Sequence, residues 1–286
     1  MKIGEIMDDI TLLLGDCAEK LKEIPSESVD LVVTSPPYDN LREYKGYSFE
    51  FEKIATELLR VIKDGGVIVW VVGDSTVNKS ETGTSFRQAL WFIEQGFLLH
   101  DTMIYGKTAC PFPSKVRYKQ GFEYMFVFSK GVPQKINLIK DRLNITAGRD
   151  LRKRLTAERQ KNGDMKKIPE SRRDKIIEDF SPRFNIWFYK TGVGMHENNA
   201  VHQHPATFPL QLAKDHIISW SQEGDTVLDP FMGSGTTGVA ALDLNRKFIG
   251  IEIAPDYFEL AKRRIETGDI PEDEPEMSDA IEYEEW

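Results

Sequence analysis

A short motif, Thr34-Ser35-Pro36-Pro37-Tyr38, joins hydroxyl groups, two rigid prolines and an aromatic ring. It follows residues 29–33, an apolar β-branched run that predicts a buried parallel strand. Two successive prolines lack the N–H that a sheet ladder needs, so the strand must end there and the chain must turn outward. Because open α/β sheets build their sites at the carboxyl ends of strands, the motif predicts a site. For two prolines alone, a simple turn with Tyr38 as packing is the alternative.

A second stretch, residues 228–237, has the sequence Leu-Asp-Pro-Phe-Met-Gly-Ser-Gly-Thr-Thr. Its glycines fit the pattern G-x-G-x-x-G between a predicted strand and a predicted helix, and Glu252 ends the next strand. Such glycines let a ligand approach the backbone, and such a carboxylate accepts hydrogen bonds from two ribose hydroxyls. No lysine follows the glycines, which disfavours a phosphate-binding P-loop. The stretch predicts an adenosine-like ligand, and an NAD-dependent oxidoreductase would use the same residues.

The elements that must position these residues alternate between strands and helices. This alternation predicts an α/β fold with a doubly wound, mostly parallel, seven-stranded Rossmann-like sheet. Glycines at the sequence Asp64-Gly65-Gly66 are expected to end a helix, and Thr84 or Ser85 to cap another. The predicted strands cover residues 10–14, 29–33, 67–72, 97–105, 122–128, 226–228 and 247–253, and the predicted helices residues 17–24, 49–63, 84–95, 209–220, 236–244 and 255–265.

The alternation breaks after residue 131, and residues 132–197 are interpreted as a basic insert. Residues 135–190 hold 16 Lys and Arg against 8 Asp and Glu, in a chain with a formal net charge of -9. Residues 150–160 predict a helix, and the aromatic residues of 184–189 are expected to dock the insert on the core. A basic insert suggests contact with a polyanion, and a solvated helical surface is the alternative. Residues 268–286 form an acidic tail that is expected to be disordered.

Cysteine content and hydropathy limit the class of protein. Only Cys17 and Cys110 occur, so neither a disulfide framework nor a zinc cluster is expected, and no metal site is predicted. No apolar signal core and no run of about 18 apolar residues is present. A cytoplasmic protein, from a prokaryote or a phage, is the expectation.

Together the two motifs resemble those of the DNA amino-methyltransferases, which methylate cytosine N4 or adenine N6. The order of parts is similar to a circularly permuted group, in which the catalytic motif precedes the recognition region and the cofactor motif comes last. The resemblance covers residues 10–131 and 200–265. It implies a methyltransferase domain at 1–131 and 198–267, a target-recognition insert at 132–197 and a tail at 268–286.

The resemblance implies S-adenosyl-L-methionine as the cofactor. In the family, the acidic residue and the glycines lie along the methionine part of the cofactor, with the aromatic residue beside them. The segment from His204 to Pro209 resembles the motif that completes this pocket, and Asp16 matches the carboxylate that meets the adenine amino group. From the residues alone, His204 as a loop histidine and Asp16 as a surface strand end remain open. The implied cofactor-binding residues are Asp16, His204, Asp229, Pro230, Phe231, Gly233, Ser234, Gly235, Thr236 and Glu252.

The catalytic residues implied by the resemblance are Ser35, Pro36, Pro37 and Tyr38. The Ser35 hydroxyl and the Pro36 carbonyl would accept the two N–H bonds of an aromatic amine and free its lone pair for attack on the methyl group. Tyr38 would stack on a base that has left the helix. Neither cysteine lies in the arrangement that a ring-carbon methyltransferase needs. Because family members with Ser at this place usually act on cytosine, the expected product is N4-methylcytosine.

Several alternatives accompany this interpretation. Adenine N6 on the same fold is the first, an NAD-dependent oxidoreductase the second and a catalytically silent DNA-binding module the third. Duplex DNA is the expected partner, whereas a cognate restriction endonuclease and the choice between monomer and homodimer stay open. DNA contact is predicted for the insert, with Lys153, Arg154, Arg172 and Arg173 as examples.

Overall fold

The computed structural model describes residues 4–7, 9–37, 49–108, 116–148, 157–167, 177–189 and 208–268, with the backbone alone at 4–7 and 158. The chain forms two compact units, one comprising Met1–Asn137 and Asn185–Trp286 and the other Leu138–Phe184. The second unit is shorter than the predicted insert at both ends. Asn185 and the strand that follows it belong to the first unit.

Fifteen strands and six α-helices make up the described chain. The strands are β1 (Gly4–Met7), β2 (Ile10–Leu14), β3 (Val29–Thr34), β4 (Ile62–Val72), β5 (Thr76–Val77), β6 (Ser80–Glu81), β7 (Leu98–Lys107), β8 (Phe122–Ser129), β9 (Lys140–Leu143), β10 (Ala157–Arg159), β11 (Met165–Lys167), β12 (Phe180–Pro182), β13 (Ile186–Tyr189), β14 (Thr226–Asp229) and β15 (Lys247–Glu252). The helices are α1 (Cys17–Lys20, continued by a 3₁₀ turn at Leu21–Glu23), α2 (Phe51–Val61), α3 (Thr84–Glu94), α4 (Leu210–Trp220), α5 (Thr236–Asp243) and α6 (Pro255–Thr267).

Nine strands form the main sheet, in the order β1-β2-β15-β14-β3-β4-β8-β7-β13. The five strands from β2 to β4 are mutually parallel, whereas β8 runs antiparallel to both β4 and β7. The predicted mostly parallel α/β sheet is confirmed, and β1 and β13 extend it beyond the seven predicted strands. The carboxyl ends of β2, β15, β14, β3 and β4 therefore meet at one edge.

The core lies around the central strands. Every residue of β3 is buried, and β4 is buried continuously from Val67 to Val72. This matches the near-continuous apolar runs that parallel strands covered on both faces require. Helix α2 buries Ile54, Ala55, Leu58 and Val61, the face that its apolar periodicity predicts.

One local prediction fails because pairing with a distant strand overrides the local signal. The sequence Asp64-Gly65-Gly66 was expected to end a helix, but the helix ends at Val61 and these residues belong to β4. The Lys130 N–H donates to the Gly66 carbonyl at 3.1 Å, and the Gly65 N–H to the Lys130 carbonyl, which recruits the glycines into the sheet. Within the segment 184–189, which was expected to dock the insert on the core, Ile186–Tyr189 form β13, which pairs in parallel with β7 of the main sheet.

Two further predictions concern helices. The cap of α3 is Gly83, with a φ of 65°, rather than Thr84 or Ser85. Asp74, at the end of β4, accepts from the Ser85 N–H at 3.0 Å and the Ser85 hydroxyl at 2.6 Å. The predicted helix at 150–160 is wrong in its described part, because residues 157–159 form β10.

The second unit contains two small antiparallel pairs, β9 with β12 and β10 with β11. Lys140 forms an ion pair with Glu178 at 2.6 Å, and the Arg142 guanidinium lies 4.4 Å from the centre of the Phe184 ring. The predicted acidic tail lies outside the described residues beyond residue 268. Within the described ranges, no helix has the length and apolar character to cross a membrane.

Candidate active site

The two sequence motifs meet at the carboxyl edge of the main sheet. Strands β3 and β14 are adjacent and parallel, with Leu31 opposite Val227 and Val32 opposite Leu228. The Ser35-Pro36-Pro37 segment leaves β3 beside the loop that leaves β14. Segments almost 200 residues apart in the chain are thereby brought together at the sheet centre.

Asp229 links the two motifs directly. Its Oδ1 accepts a hydrogen bond from the Thr34 hydroxyl at 2.6 Å and one from the Phe231 N–H at 3.0 Å. Its Oδ2 accepts from the Thr237 hydroxyl at 2.8 Å. Because both oxygens are used internally and the residue is 2% exposed, Asp229 holds the end of β3 and the start of α5 in register. The geometry gives Asp229 a positioning role beneath the predicted cofactor loop.

Burial dominates the electrostatics of this carboxyl group. Desolvation raises the pKa of Asp229 to about 6, against an ordinary value of 3.8, although hydrogen bonds from Thr34, Thr237 and Phe231 oppose the shift. Burial also raises the pKa of Glu252, with backbone N–H donors opposing and nearby Asp229 adding a smaller repulsion. Two carboxyl groups at one sheet edge are therefore held in an environment that disfavours their charged forms.

Glu252 shapes the glycine loop from the neighbouring strand. Its Oε2 accepts from the Gly233 N–H at 2.8 Å and its Oε1 from the Ala254 N–H at 2.9 Å. The backbone carbonyl of Glu252 also accepts from the Gly15 N–H at 2.8 Å, which ties the end of β15 to the turn after β2. Each carboxylate oxygen retains a second lone pair that can accept a hydrogen bond, so Glu252 fits a ligand with two adjacent hydroxyl donors, such as a ribose.

Two glycines of the second motif, Gly233 and Gly235, shape the loop before α5. Both adopt left-handed backbone conformations, with φ values of 54° at Gly233 and 85° at Gly235. A Cβ on Gly235 would lie 3.1 Å from the Cα of Ala261, so this glycine allows close packing of the loop on α6. From α6, the buried Arg264 donates to the Ser234 carbonyl at 2.6 Å. Helix α6 thus fixes the loop, a role for which neither motif carries a signal.

The proline motif is half-buried where it leaves the sheet. Pro36 is buried, while Ser35 and Pro37 are partly exposed, as expected for a rigid turn that faces a binding site. Tyr38 lies outside the described residues.

The aromatic residue of the cofactor loop rests on a cluster of rings. The Phe231 ring centre lies 5.5 Å from that of Phe49 and 6.3 Å from that of Trp70, both in edge-on contact. Such edge-to-face contacts favour one orientation of a ring over others. The Phe231 ring is therefore held in one orientation within the predicted cofactor loop rather than left free on the surface.

The remaining predicted residues are distributed as follows. Asp16 is exposed at the same edge, where its Oδ1 accepts from the Ala18 N–H at 2.8 Å and caps α1. Pro230 is buried, and the Ser234 hydroxyl of the loop lies 3.5 Å from the Thr236 hydroxyl at the start of α5. His204 and the predicted DNA-binding residues Lys153, Arg154, Arg172 and Arg173 lie outside the described ranges.

Three residues of the site are missed by sequence reasoning. Thr34 and Thr237 supply the hydroxyl donors to Asp229, and Arg264 anchors the loop carbonyl. Thr34 is the first residue of one motif and Thr237 the last of the other, so hydroxyl groups beside the buried Asp229 are the signal that could have identified both as donors. Arg264 has no signal, because it approaches from a separate helix.

Comparison with known proteins gives consistent results. A family model described as DNA methylase matches residues 29–263. The orphan methyltransferase M.BamHII of Bacillus amyloliquefaciens is 50% identical over 260 residues, which cover 88% of this chain and 90% of that protein. The DNA adenine methyltransferase YhdJ of Escherichia coli K12 is 30% identical over 269 residues, covering 90% and 82%. The structure of TTHA0409 from Thermus thermophilus, complexed with S-adenosyl-L-methionine, is similar with a TM-score of 0.58 and 26% identity, covering 90% and 95%.

Proposed function

This chain belongs to the N4/N6 DNA methylase family, and on that premise we propose that it methylates the exocyclic N4 amine of a cytosine flipped out of duplex DNA. It is a DNA methyltransferase, and its cofactor is S-adenosyl-L-methionine. Membership of this family decides against the NAD-dependent oxidoreductase that the glycine pattern alone leaves open.

One observation carries the proposal. The Thr34 hydroxyl donates to Asp229 at 2.6 Å, which joins the acceptor motif to the cofactor loop within the buried sheet centre. Methyl transfer requires donor and acceptor in line at close range, and fixing both segments to one carboxylate lowers the entropy lost in reaching that arrangement. When bound, S-adenosyl-L-methionine supplies a methyl group activated by its sulfonium charge.

The residues of this chain have separate tasks in the proposed reaction. The Ser35 hydroxyl and the Pro36 carbonyl accept hydrogen bonds from the target amine and concentrate its lone pair on nitrogen. Glu252 holds the adenosine side of the cofactor through its second lone pairs. Tyr38 stacks on the flipped base. No strong base is required before attack, because the amine proton leaves afterwards.

The insert is proposed to contact DNA. In its described part, Lys161, Lys166 and Lys167 are exposed on or beside the β10–β11 pair. Exposed lysines on a small sheet suit phosphate contacts, which position a protein on duplex DNA without identifying its sequence. Lys153, Arg154, Arg172 and Arg173 remain the predicted contacts of the same insert.

Adenine N6 is the second candidate, because YhdJ, 30% identical to this chain, is named a DNA adenine methyltransferase. Cytosine is preferred because Ser35 stands where adenine-specific members of the family usually carry Asp or Asn. The test is to incubate unmethylated phage DNA with the enzyme and labelled S-adenosyl-L-methionine, digest it to nucleosides and identify the labelled product by mass spectrometry. N4-methylcytosine is expected. N6-methyladenine alone would overturn the choice of base while leaving the family and the cofactor unchanged.

A further inference from the structure

A second basic surface lies at the carboxyl edge of the main sheet, separate from the insert. Its first part is the hairpin formed by β5 and β6, which begins four residues after β4 ends. The two turn residues, Asn78 and Lys79, have φ values of 51° and 65°. Positive φ at both central residues defines a two-residue turn that matches the twist of its strands, so the hairpin holds a defined shape.

The second part is the segment before β8. Register places Val72 opposite Tyr124, so β8 begins at the edge where β4 ends. Strand β7 ends at the same edge, because Gly106 pairs with Phe122. Thr108 and Gly121, which flank these strand ends, therefore lie at the edge from which the proline motif emerges. From Thr108 to Gly121 the sequence contains two Lys, one Arg and no Asp or Glu.

Arg117 joins the two parts. Its guanidinium donates to the Lys79 carbonyl at the tip of the hairpin and lies 3.7 Å from the Glu81 carboxylate. We call the combined surface, residues 76–81 and 116–120, the edge patch. All of its residues are exposed, and Tyr118 is exposed completely.

The edge patch carries a net positive charge, because it holds Lys79, Arg117 and Lys119 against one carboxylate, Glu81, which lies beside Arg117. Outside the patch, Glu123 forms an ion pair with Lys107 at 2.5 Å, and the Asp74 carboxylate accepts from the Ser85 hydroxyl. Lys79 and Lys119 have no ion pair within the part of the chain that the structure describes. Lys79 and Lys119 are therefore two exposed cations without a carboxylate partner in a chain of net charge -9, and they are available to a polyanion at this edge.

We propose that the edge patch contacts the DNA duplex beside the flipped base, with Lys79 and Lys119 on phosphates and the Tyr118 ring against an exposed base or sugar. The inference rests on the proposed function, because it takes duplex DNA as the substrate. Thr34 pairs with Trp70, so Ser35 and Pro36 lie level with the last residues of β4, from which the hairpin extends. A base held at the proline motif leaves its flanking backbone near this edge. Cations with an interleaved aromatic ring are the chemistry that binds unstacked nucleic acid.

The charge test uses Lys79→Gln combined with Lys119→Gln, which keeps side-chain length and removes two charges. Binding of a labelled mixed-sequence duplex is measured from about 0.05 to about 0.4 M salt by fluorescence anisotropy. Loss of two phosphate contacts predicts at least about tenfold weaker binding near 0.1 M salt and a slope of log affinity against log salt that is smaller by about 2. The control is Lys247→Gln, since Lys247 begins β15 at the opposite edge and is 53% exposed. Wild-type affinity and slope in the double variant would overturn the proposal.

A second test replaces Tyr118 and leaves the charges of the edge patch unchanged. The substitution should not affect folding, because Tyr118 is fully exposed. Tyr118→Ala is expected to weaken duplex binding roughly 5- to 100-fold, whereas Tyr118→Phe retains the wild-type affinity. Equal affinity of wild type, Tyr118→Phe and Tyr118→Ala would refute the role of the ring. Methylation of phage DNA by the wild-type enzyme, measured in parallel, distinguishes failure of the proposed function from failure of this inference. If the wild type does not methylate DNA, the proposed function fails. If the wild type methylates DNA and the edge-patch variants bind duplex as tightly as it does, only this inference fails.

Discussion

Between acid and neutral pH the wild type should lose unfolding free energy that the Asp229→Asn variant retains. In the folded protein burial raises the pKa of Asp229 to about 6, from an ordinary value of 3.8. The folded state therefore binds a proton more tightly than the unfolded state does. The stabilising contribution of this group is complete below the ordinary pKa and is lost as the pH rises through the folded one.

The magnitude follows from these two pKa values. A difference of about 2.2 pH units at about 1.4 kcal/mol per unit gives about 3 kcal/mol over the whole titration, of which about 2 kcal/mol falls between pH 4.5 and 7.5. The amide in Asp229→Asn does not titrate. Its oxygen can still accept from Thr34 and Phe231, and its NH₂ group can donate to Thr237. The Thr237 hydroxyl then donates to the Val33 carbonyl, which is 3.3 Å away.

The assay is urea unfolding of wild type and Asp229→Asn across this pH range. The unfolding free energy of the wild type should fall by about 2 kcal/mol relative to the variant as the pH rises from 4.5 to 7.5. Asp64→Asn is the control for loss of one negative charge, since the Asp64 side chain is 80% exposed. Parallel pH profiles for wild type and Asp229→Asn would refute the reasoning.

Four other predictions concern the same edge. Thr34→Val should cost about 1.5–3 kcal/mol in urea unfolding at neutral pH, because it removes a donor to a buried carboxylate, and an unchanged midpoint would contradict the network. Gly235→Ala should destabilise the protein more than Gly96→Ala, because both glycines have positive φ but only Gly235 is in contact with Ala261; equal losses in thermal unfolding would exclude a packing role. Ser35→Ala should lower kcat roughly 100-fold and leave the cofactor affinity measured by calorimetry almost unchanged. A loss confined to cofactor affinity would show that Ser35 binds the cofactor rather than the target amine. In a Cys110→Ser background, Cys17 should resist a thiol reagent until the protein unfolds, because burial, helped by Asp16, raises its pKa; rapid native labelling would show an open site.

The sheet could be predicted largely from the sequence because its central strands are apolar throughout. The runs at 29–33 and 67–72 are buried on both faces, and burial of that kind leaves a signal within a few residues. The strands that were missed or misjudged depend on distant partners. β13 gains its place by pairing with β7 about 80 residues earlier, and Gly65 and Gly66 join β4 through Lys130.

The candidate site divides in the same way. Ser35, Asp229 and Glu252 are predictable, because each ends or follows a strand next to residues with an unusual backbone. The task of each individual residue could not be predicted as well from the sequence. Asp229 turns inward to three donors, and Gly235 serves packing on α6, facts that depend on elements far along the chain.

The adjacency of β3 and β14 has a consequence for the order in which the protein folds. β3 can pair with β4 as soon as the first third of the chain has been synthesised, whereas its other neighbour is about 195 residues later in the sequence. Contacts of such long sequence separation form slowly, because a large loop must close before they contribute stability. Until β14 arrives, the nascent chain presents an apolar strand with an unpaired edge. During translation this edge is open to association with other chains, so the early intermediate is the state in which assistance by chaperones would matter most.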